Sequence, residues 1–412
     1  MATLFEARER EETAIPITEV WKDGEIDIYP EVQNQKYFEI RFRGRRLIIT
    51  AGKYVGFIPL NERAIIYVRP KIPTANLVHL LAVAGGVVAL GRERQYRLVD
   101  STAPPLLEAM AGAFIAYLEE MEVGGLYKRY ENMNEAQSIL KGQIRFQESM
   151  QQLWSRGKRH AAVSSYFELT ADVPANQLLY FACRSLILHF LALGASPVTL
   201  KRLGQFEALF VHAGVTLRLP SKNEAQEAGL SASHIRAMRL ANALIARKGI
   251  ELPLGGSDIF LPSFLIDMES LFEEYILRIL RQHLFGFRVA TAGEATKPLF
   301  DNTLIPAANP DVAIYNSQGA ALAVGDVKYK PRYSREDLNQ VISYALSYGV
   351  NVTVLFLPSL TADEGGLRKV GDIRGINVYE SRLWLGSVDL TGEAQRMTAA
   401  LSLVLPAMPV AV

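Results

Sequence analysis

Two short strings of residues hold the chemistry of this chain: Asn309-Pro310-Asp311 and, fifteen positions beyond that aspartate, Asp326-Val327-Lys328. Two carboxylates and an ammonium at this spacing suit metal-assisted hydrolysis of a phosphodiester. The carboxylates of Asp311 and Asp326 are hard oxygen ligands for Mg²⁺ (or Mn²⁺), with the main-chain carbonyl of Val327 as a further donor. The ion lowers the pKa of a bound water and offsets transition-state charge, while Lys328 positions or activates the attacking water. Alone, so short a string reads more readily as a solvated pair at a strand end, so the surrounding elements decide.

The segment between the two strings reads as a hairpin. Val312-Ala313-Ile314-Tyr315 is a short strand, Asn316-Ser317-Gln318-Gly319 a turn, and Ala320 to Val324 the returning strand. Pairing Tyr315 with Ala320 sets Asp311 opposite Val324, and the two-residue side-chain period then puts Asp311, Asp326 and Lys328 on one face. Upstream, Met268, Leu271, Phe272, Tyr275, Ile276, Ile279 and Leu280 predict an amphipathic helix from about Ser263 to Leu284, with Glu269 and Glu273 one turn apart on its flank. Downstream, Ser334 and Asp337 form a helix start resembling a capping box. Leu338, Val341, Ile342 and Ala345 supply that helix's buried stripe, and it ends before Gly349. Gln340 and Tyr344 share another of its faces. Val350 to Leu357 follows as a β-branched, apolar central strand.

Helix, strands, helix and strand, with P-D, D-x-K and the Gln340/Tyr344 pair in order, resemble the PD-(D/E)xK nuclease superfamily and its RecB-like branch. Further landmarks narrow the likeness: Ala51-Gly52-Lys53-Tyr54-Val55-Gly56, Val68-Arg69-Pro70-Lys71-Ile72, Gly142-Gln143-Ile144, Leu169-Thr170-Ala171-Asp172 with Asn176, and the run Asp267 to Glu273. From about position 45 to 360 the chain resembles the McrC family. The resemblance implies the Mg²⁺-dependent DNA endonuclease subunit of a McrBC-like, modified-cytosine-dependent restriction complex in anti-phage defence. It would cut double-stranded DNA under the control of a McrB-like AAA+ GTPase hexamer. The likeness makes Asp311 and Asp326 metal ligands and Lys328 the catalytic lysine. Glu273 becomes the helix carboxylate and a further ligand, with Glu269 its rival, and Gln340 and Tyr344 orient a ligand or nucleotide. Two other readings stand beside it: a self-sufficient RecB-like nuclease that cuts unaided, and a non-catalytic subunit that docks on and stimulates the GTPase. The intact set Asp311, Asp326 and Lys328 speaks against a decayed site.

With 412 residues, 49% hydrophobic and 21% charged, the chain is composed like a globular protein of two or three domains and unlike a disordered scaffold. The expected fold class is α+β multidomain. A β-rich N-terminal lobe for partner docking occupies 1–120 and a helical middle region 121–257. A restriction-endonuclease-like α/β domain with a mixed central sheet fills 258–412, after a boundary at Pro253-Leu254-Gly255-Gly256-Ser257. A single cysteine, Cys183, excludes an intramolecular disulfide, and without a basic, apolar leader a cytoplasmic location is expected. The apolar stretches Leu77 to Leu90 and Leu178 to Ala195 read as buried helices, so no membrane span is predicted. No phosphate-binding glycine loop, zinc spacing or serine elbow is visible.

A net charge of +1 suits poorly a protein that grips DNA alone, because non-specific binding rests on phosphate neutralisation. Binding must be local or borrowed. Arg41, Arg43, Arg45 and Arg46 read as the solvated side of a strand that buries Phe42, whereas Lys128, Arg129, Lys141, Arg145, Arg156, Lys158 and Arg159 form the better DNA or partner patch. The apolar tail, with Leu401, Leu403, Val404, Leu405 and Met408, is expected to dock on the core or on another chain.

Overall fold

The computed structural model describes residues 3–29, 32, 38–84, 105–193, 197–221, 224, 229–245, 264–291, 293–294, 297–300 and 307–406. The expected boundary at Pro253 to Ser257 and the tail residue Met408 lie outside them. Where the sequence reading draws three consecutive regions, the chain forms two compact units: Met1–Leu98 with Pro104–Met110 and Ala243–Val412, and Val99–Ala103 with Ala111–Asn242. The N-terminal strands and the C-terminal segment therefore share one unit.

The reason is a strand that apolar periodicity hides. In the first unit, β1 (Thr3–Arg8), β2 (Tyr54–Pro59), β3 (Ala64–Arg69) and β4 (Phe264–Asp267) form one sheet in the order β1-β3-β2-β4. β4 pairs antiparallel with β2, Phe264 opposite Phe57 and Asp267 opposite Tyr54. The helix expected from Ser263 starts five residues later, as α1 (Met268–His283), because Asp267 accepts hydrogen bonds from the N–H groups of Glu269 and Ser270 and caps it. α1 buries Met268, Leu271, Phe272, Tyr275, Ile276, Leu277, Ile279 and Leu280. A second sheet pairs Glu12–Pro16 and Phe38–Arg43 with Arg46–Ala51 between them. Phe42 contradicts expectation: it is 49% exposed, so the end of its strand is solvated on both faces.

The C-terminal sheet is mixed, as expected. β5 (Arg288–Ala290), β6 (Val312–Tyr315), β7 (Ala321–Val327), α2 (Arg335–Tyr348), β8 (Val352–Ser359), β9 (Gly366–Ile373) and β10 (Ile376–Trp384) give the strand order β5-β6-β7-β8-β10-β9. β8 runs parallel to both β7 and β10 and all eight of its residues are buried, which explains its unbroken apolar character. The β9/β10 hairpin turns through Arg374 and Gly375, both with positive φ, and its outer strand is largely exposed. α2 begins in the expected capping box, Ser334 and Asp337 exchanging backbone-to-side-chain hydrogen bonds, and ends at Gly349 with φ 66°. Leu401 and Leu405 at the end of the last helix, α3 (Leu390–Val404), are buried while Leu403 is 86% exposed.

The second unit is not purely helical. A ribbon of Arg129–Gln137 against Ala162–Thr170, with Gln143–Ile144 alongside, precedes helices Pro174–Leu193, Pro197–His212 and Ala232–Leu244. Asn176 ties the ribbon side to the helices by donating to the carbonyls of Tyr127 (2.8 Å) and Ala171 (2.7 Å). Lys128, Arg129, Lys141, Arg145, Arg156, Lys158 and Arg159 are all exposed here. Cys183 is buried, and no helix among the described residues is long and apolar enough to cross a membrane.

The capping box yields a first prediction. Ser334→Ala should cost about 1 kcal/mol of folding free energy, read as a lower denaturant midpoint at unchanged slope.

Candidate active site

The turn between β6 and β7 fixes how the two aspartates meet. Asn316 Oδ1 accepts from the N–H groups of Gln318 (3.0 Å) and Ala320 (2.8 Å), and Gly319 adopts φ 83°. This loop holds Ala320 out of the ladder, so Tyr315 pairs with Ala321, and past an irregularity Val312 pairs with Gly325. Continued by one step, this register would set Asp311 across from Asp326 instead of the expected Val324. The displacement is two residues, so the face is preserved and the carboxylates come closer than the sequence reading places them.

Asp311 accepts a hydrogen bond from the Val327 N–H through Oδ2, at 2.7 Å. Asp326 is 1% exposed, and its Oδ2 lies 2.5 Å from Nζ of Lys328. Lys328 is anchored through its own N–H to the Phe356 carbonyl of β8, at 2.9 Å. Packing behind this point is tight: a Cβ on Gly325 would stand 2.7 Å from Cε2 of Phe356 and 3.0 Å from the Val354 carbonyl oxygen. Glycine at 325 thus lets β7 and β8 close beneath Asp326. Sequence reasoning misses this residue, although a glycine inside a buried strand next to a charged pair is a readable signal.

The helix carboxylates separate cleanly. Glu269 is engaged by Nζ of Lys53 at 2.9 Å and Nη2 of Arg10 at 3.4 Å. Glu273, exposed on one side, faces Asp311 and Lys328, and burial of its carboxyl together with the charge of Asp311 pushes its pKa up to about 7. Burial also raises Asp326 to about 7, with the charge of Asp311 adding to the effect and Lys328 opposing it. For Lys328, burial works against the ammonium, but Asp326, Asp311 and Asp337 outweigh it and hold its pKa above the ordinary lysine value. Gln340 Nε2 donates to the Tyr344 hydroxyl at 2.7 Å. Burial, then the charges of Asp326 and Asp311, raise the pKa of that phenol, so the pair borders the same charge cluster.

Asp311, Asp326 and Glu273 therefore share the charge of Lys328, while Asp337 has Lys330 beside it at 2.5 Å, and Asp326 and Glu273 are held from ionising at the ordinary carboxylate pH. Such a surplus of negative charge is what a divalent cation relieves. Among the described residues no group of three or more His, Cys, Asp or Glu side chains is arranged to ligate one ion. Mg²⁺ takes one or two carboxylates and keeps several waters, so the donor set that fits is Asp311 and Asp326 with the Val327 carbonyl, and Glu273 stands at its edge.

A family model described as McrBC 5-methylcytosine restriction system component matches residues 49–358. The chain belongs to this family. A refined half-complex from a tetradecameric assembly of Thermococcus gammatolerans McrB AAA+ hexamers with bound McrC is similar at TM-score 0.62 and 17% identity, over 98% of this chain and 100% of that one. The cryo-EM structure of the Thermococcus gammatolerans McrBC complex gives TM-score 0.43 at 18% identity, over 69% of this chain and 89% of that one. No curated protein sequence matches. The family match bears out the expected family, and the first of these structures shares this chain's fold. In this McrC-family chain two of the sequence landmarks meet: Lys53, from Ala51 to Gly56, bonds Asp267 and Glu269, from Asp267 to Glu273.

Two predictions follow from the charge cluster. Folded Asp326 holds its proton more tightly than the unfolded chain does, so metal-free protein should gain stability as pH falls from about 8 through 7. Asp326→Asn should melt higher than wild type in EDTA at about pH 8 and gain less on acidification, as followed by calorimetry. Gly325→Ala should lower the melting temperature through forced separation of β7 and β8, at an overpacking cost of about 1–3 kcal/mol.

Proposed function

We propose that this chain is the DNA-cleaving subunit of a McrBC-type restriction complex, with a PD-(D/E)xK nuclease centre at the ends of β6 and β7. The observation that carries the reading is the approach of Asp311 to the end of β7, where it accepts from the Val327 N–H just beyond the Val312–Gly325 pair and adds its charge to the burial that raises the pKa of Asp326, with Lys328 immediately after the strand. When bound by Asp311, Asp326 and the Val327 carbonyl, Mg²⁺ supplies an acidified water and neutralises charge on the phosphodiester.

The chain's own groups do the rest. The Val327 N–H fixes the rotation of the Asp311 carboxylate. Lys328 stays an ammonium, which suits it to hold the attacking water or a phosphate oxygen by charge and not to accept a proton. Glu273, raised toward neutrality on the open side of the site, is the group available to take up a proton there. The Gln340–Tyr344 pair offers hydrogen-bonding groups at the rim, suited to orienting a nucleotide. Nothing in this arrangement reads sequence or a modified base. The half-complex this chain is similar to holds McrC with McrB AAA+ hexamers, which supports a McrB-like AAA+ partner. The family description, a 5-methylcytosine restriction system component, fits a complex that selects modified double-stranded DNA. On this reading the GTPase and the selection belong to the partner and the cutting to this chain.

The test is cleavage of methylated and unmethylated plasmid by the chain alone and with its AAA+ partner, with GTP or ATP. Cutting only with partner, GTP, Mg²⁺ and methylated DNA is expected, and EDTA should abolish it. Cutting by the chain alone would support a self-sufficient nuclease instead. Asp311→Ala and Lys328→Ala should each lower the rate about a hundredfold or more while assembly holds and each variant stays folded at the assay temperature. Wild-type cutting by both variants would defeat the assignment.

A further inference from the structure

The residue after the candidate catalytic lysine is held from the other end of the chain. Tyr329 is 7% exposed, and its hydroxyl donates to Oε2 of Glu9, itself 1% exposed, at 3.3 Å. Its carbonyl accepts from Nη2 of Arg10 at 2.6 Å. Its ring lies 5.7 Å from that of Phe272 on α1, and the Arg10 guanidinium stands 5.9 Å above it. The same Nη2 lies 3.4 Å from Oε1 of Glu269, the residue one turn before Glu273.

Arg10 therefore bridges the two elements that carry the site. One is the exit of β7, bearing Asp326 and Lys328; the other is the start of α1, bearing Glu273. Its backbone is left-handed, with φ 57°, a conformation that costs a non-glycine residue about 1 kcal/mol or more. The surrounding bonds enforce it: Arg10 N–H donates to the Ala51 carbonyl at 3.0 Å, and Glu9 N–H to the Arg69 carbonyl at 3.2 Å. Lys53 reinforces the α1 side through Asp267 at 3.1 Å and Glu269 at 2.9 Å. A guanidinium suits this place because its planar fork serves a carbonyl and a carboxylate at once, which an ammonium on a lysine stem does not match.

We propose that Arg10 is a positioning residue for the nuclease centre, setting the spacing between the β7 exit and α1 through Tyr329 and Glu269. The inference rests on the nuclease reading above. A positioning role makes the N-terminal strands part of the cutting machinery, in addition to any part in docking.

The test is kinetics of methylated-plasmid cleavage by the reconstituted complex with Arg10→Ala, Arg10→Lys and Tyr329→Phe, well below each variant's melting temperature, with Asp311→Ala as control. Arg10→Ala is expected to lower kcat at least about tenfold with KM for DNA unchanged, and to raise the Mg²⁺ concentration for half-maximal cutting. Arg10→Lys should recover part of the rate, and Tyr329→Phe, which keeps the carbonyl and ring, should lose less than Arg10→Ala. Wild-type kcat and Mg²⁺ dependence in Arg10→Ala would overturn the proposal. So would a loss in Arg10→Ala matched only by a smaller folded fraction. Should Arg10→Ala not fold, the same comparison is read from Arg10→Lys, where wild-type kcat and Mg²⁺ dependence overturn it. If Asp311→Ala also cuts, the nuclease reading itself falls; if Asp311→Ala is dead while Arg10→Ala is normal, this inference alone fails.

Discussion

Repulsion between carboxylates that the fold refuses to separate is the interaction on which the rest of this structure turns. Asp311 meets the end of β7 just past the Val312–Gly325 pair, its charge acts on buried Asp326, and Lys328 offsets them. Left to itself such a cluster would push its strands apart or relax into solvent. It is retained because β8, buried along its whole length, grips β7 from behind, and Gly325 removes the side chain that would keep the two apart. Backbone pairing and close packing thus supply the rigidity that charge alone would undo.

The frame around this cluster explains why the N-terminal strands and the C-terminal sheet form one unit. β4 completes the N-terminal sheet and hands the chain directly to α1, so Asp267 is at once the last residue of a strand and the cap of a helix. Lys53, at the start of β2, neutralises both Asp267 and Glu269, and its pKa is raised chiefly by the hydrogen bond to Glu269. Glu269 is thereby spent on holding lobes together, which leaves Glu273 as the carboxylate facing Asp311. A family landmark that reads as a string of small residues around Lys53 is, in space, the other half of the helix landmark.

Much of the site was legible because side-chain parity tolerates an error of two residues. The expected partner of Asp311 was Val324, whereas the observed register points it to Asp326, two residues on and on the same face. The offset itself was not legible: one residue of it comes from the turn in which Asn316 bonds the N–H of Ala320, a choice among several turns open to the same four residues, and the other from the irregularity beside Tyr315. The capping box of α2, its glycine stop and the central strand β8 were readable from local chemistry alone. β4 was not, since its apolar residues merge with those of α1 and only pairing with β2 distinguishes strand from helix. The ribbon of the second unit escaped for the opposite reason: both its faces carry polar residues and little alternation. The left-handed turn at Arg374 and Gly375 is a signal the sequence does contain for the β9/β10 hairpin, and the exposure of Phe42 is one it does not.

The return of the chain to its first unit, after an intervening unit of its own, has a bearing on biosynthesis. β1, β2 and β3 emerge from the ribosome early, but the sheet they begin is completed only by β4, and Tyr329 reaches Glu9 and Arg10 later still. Domains generally fold as they are made, so the intervening unit can settle while its flanks wait. A site braced this way stays unfinished until Tyr329 has left the ribosome. Fragments released before that point would hold Asp311 and Asp326 without the N-terminal brace that Glu9 and Arg10 supply.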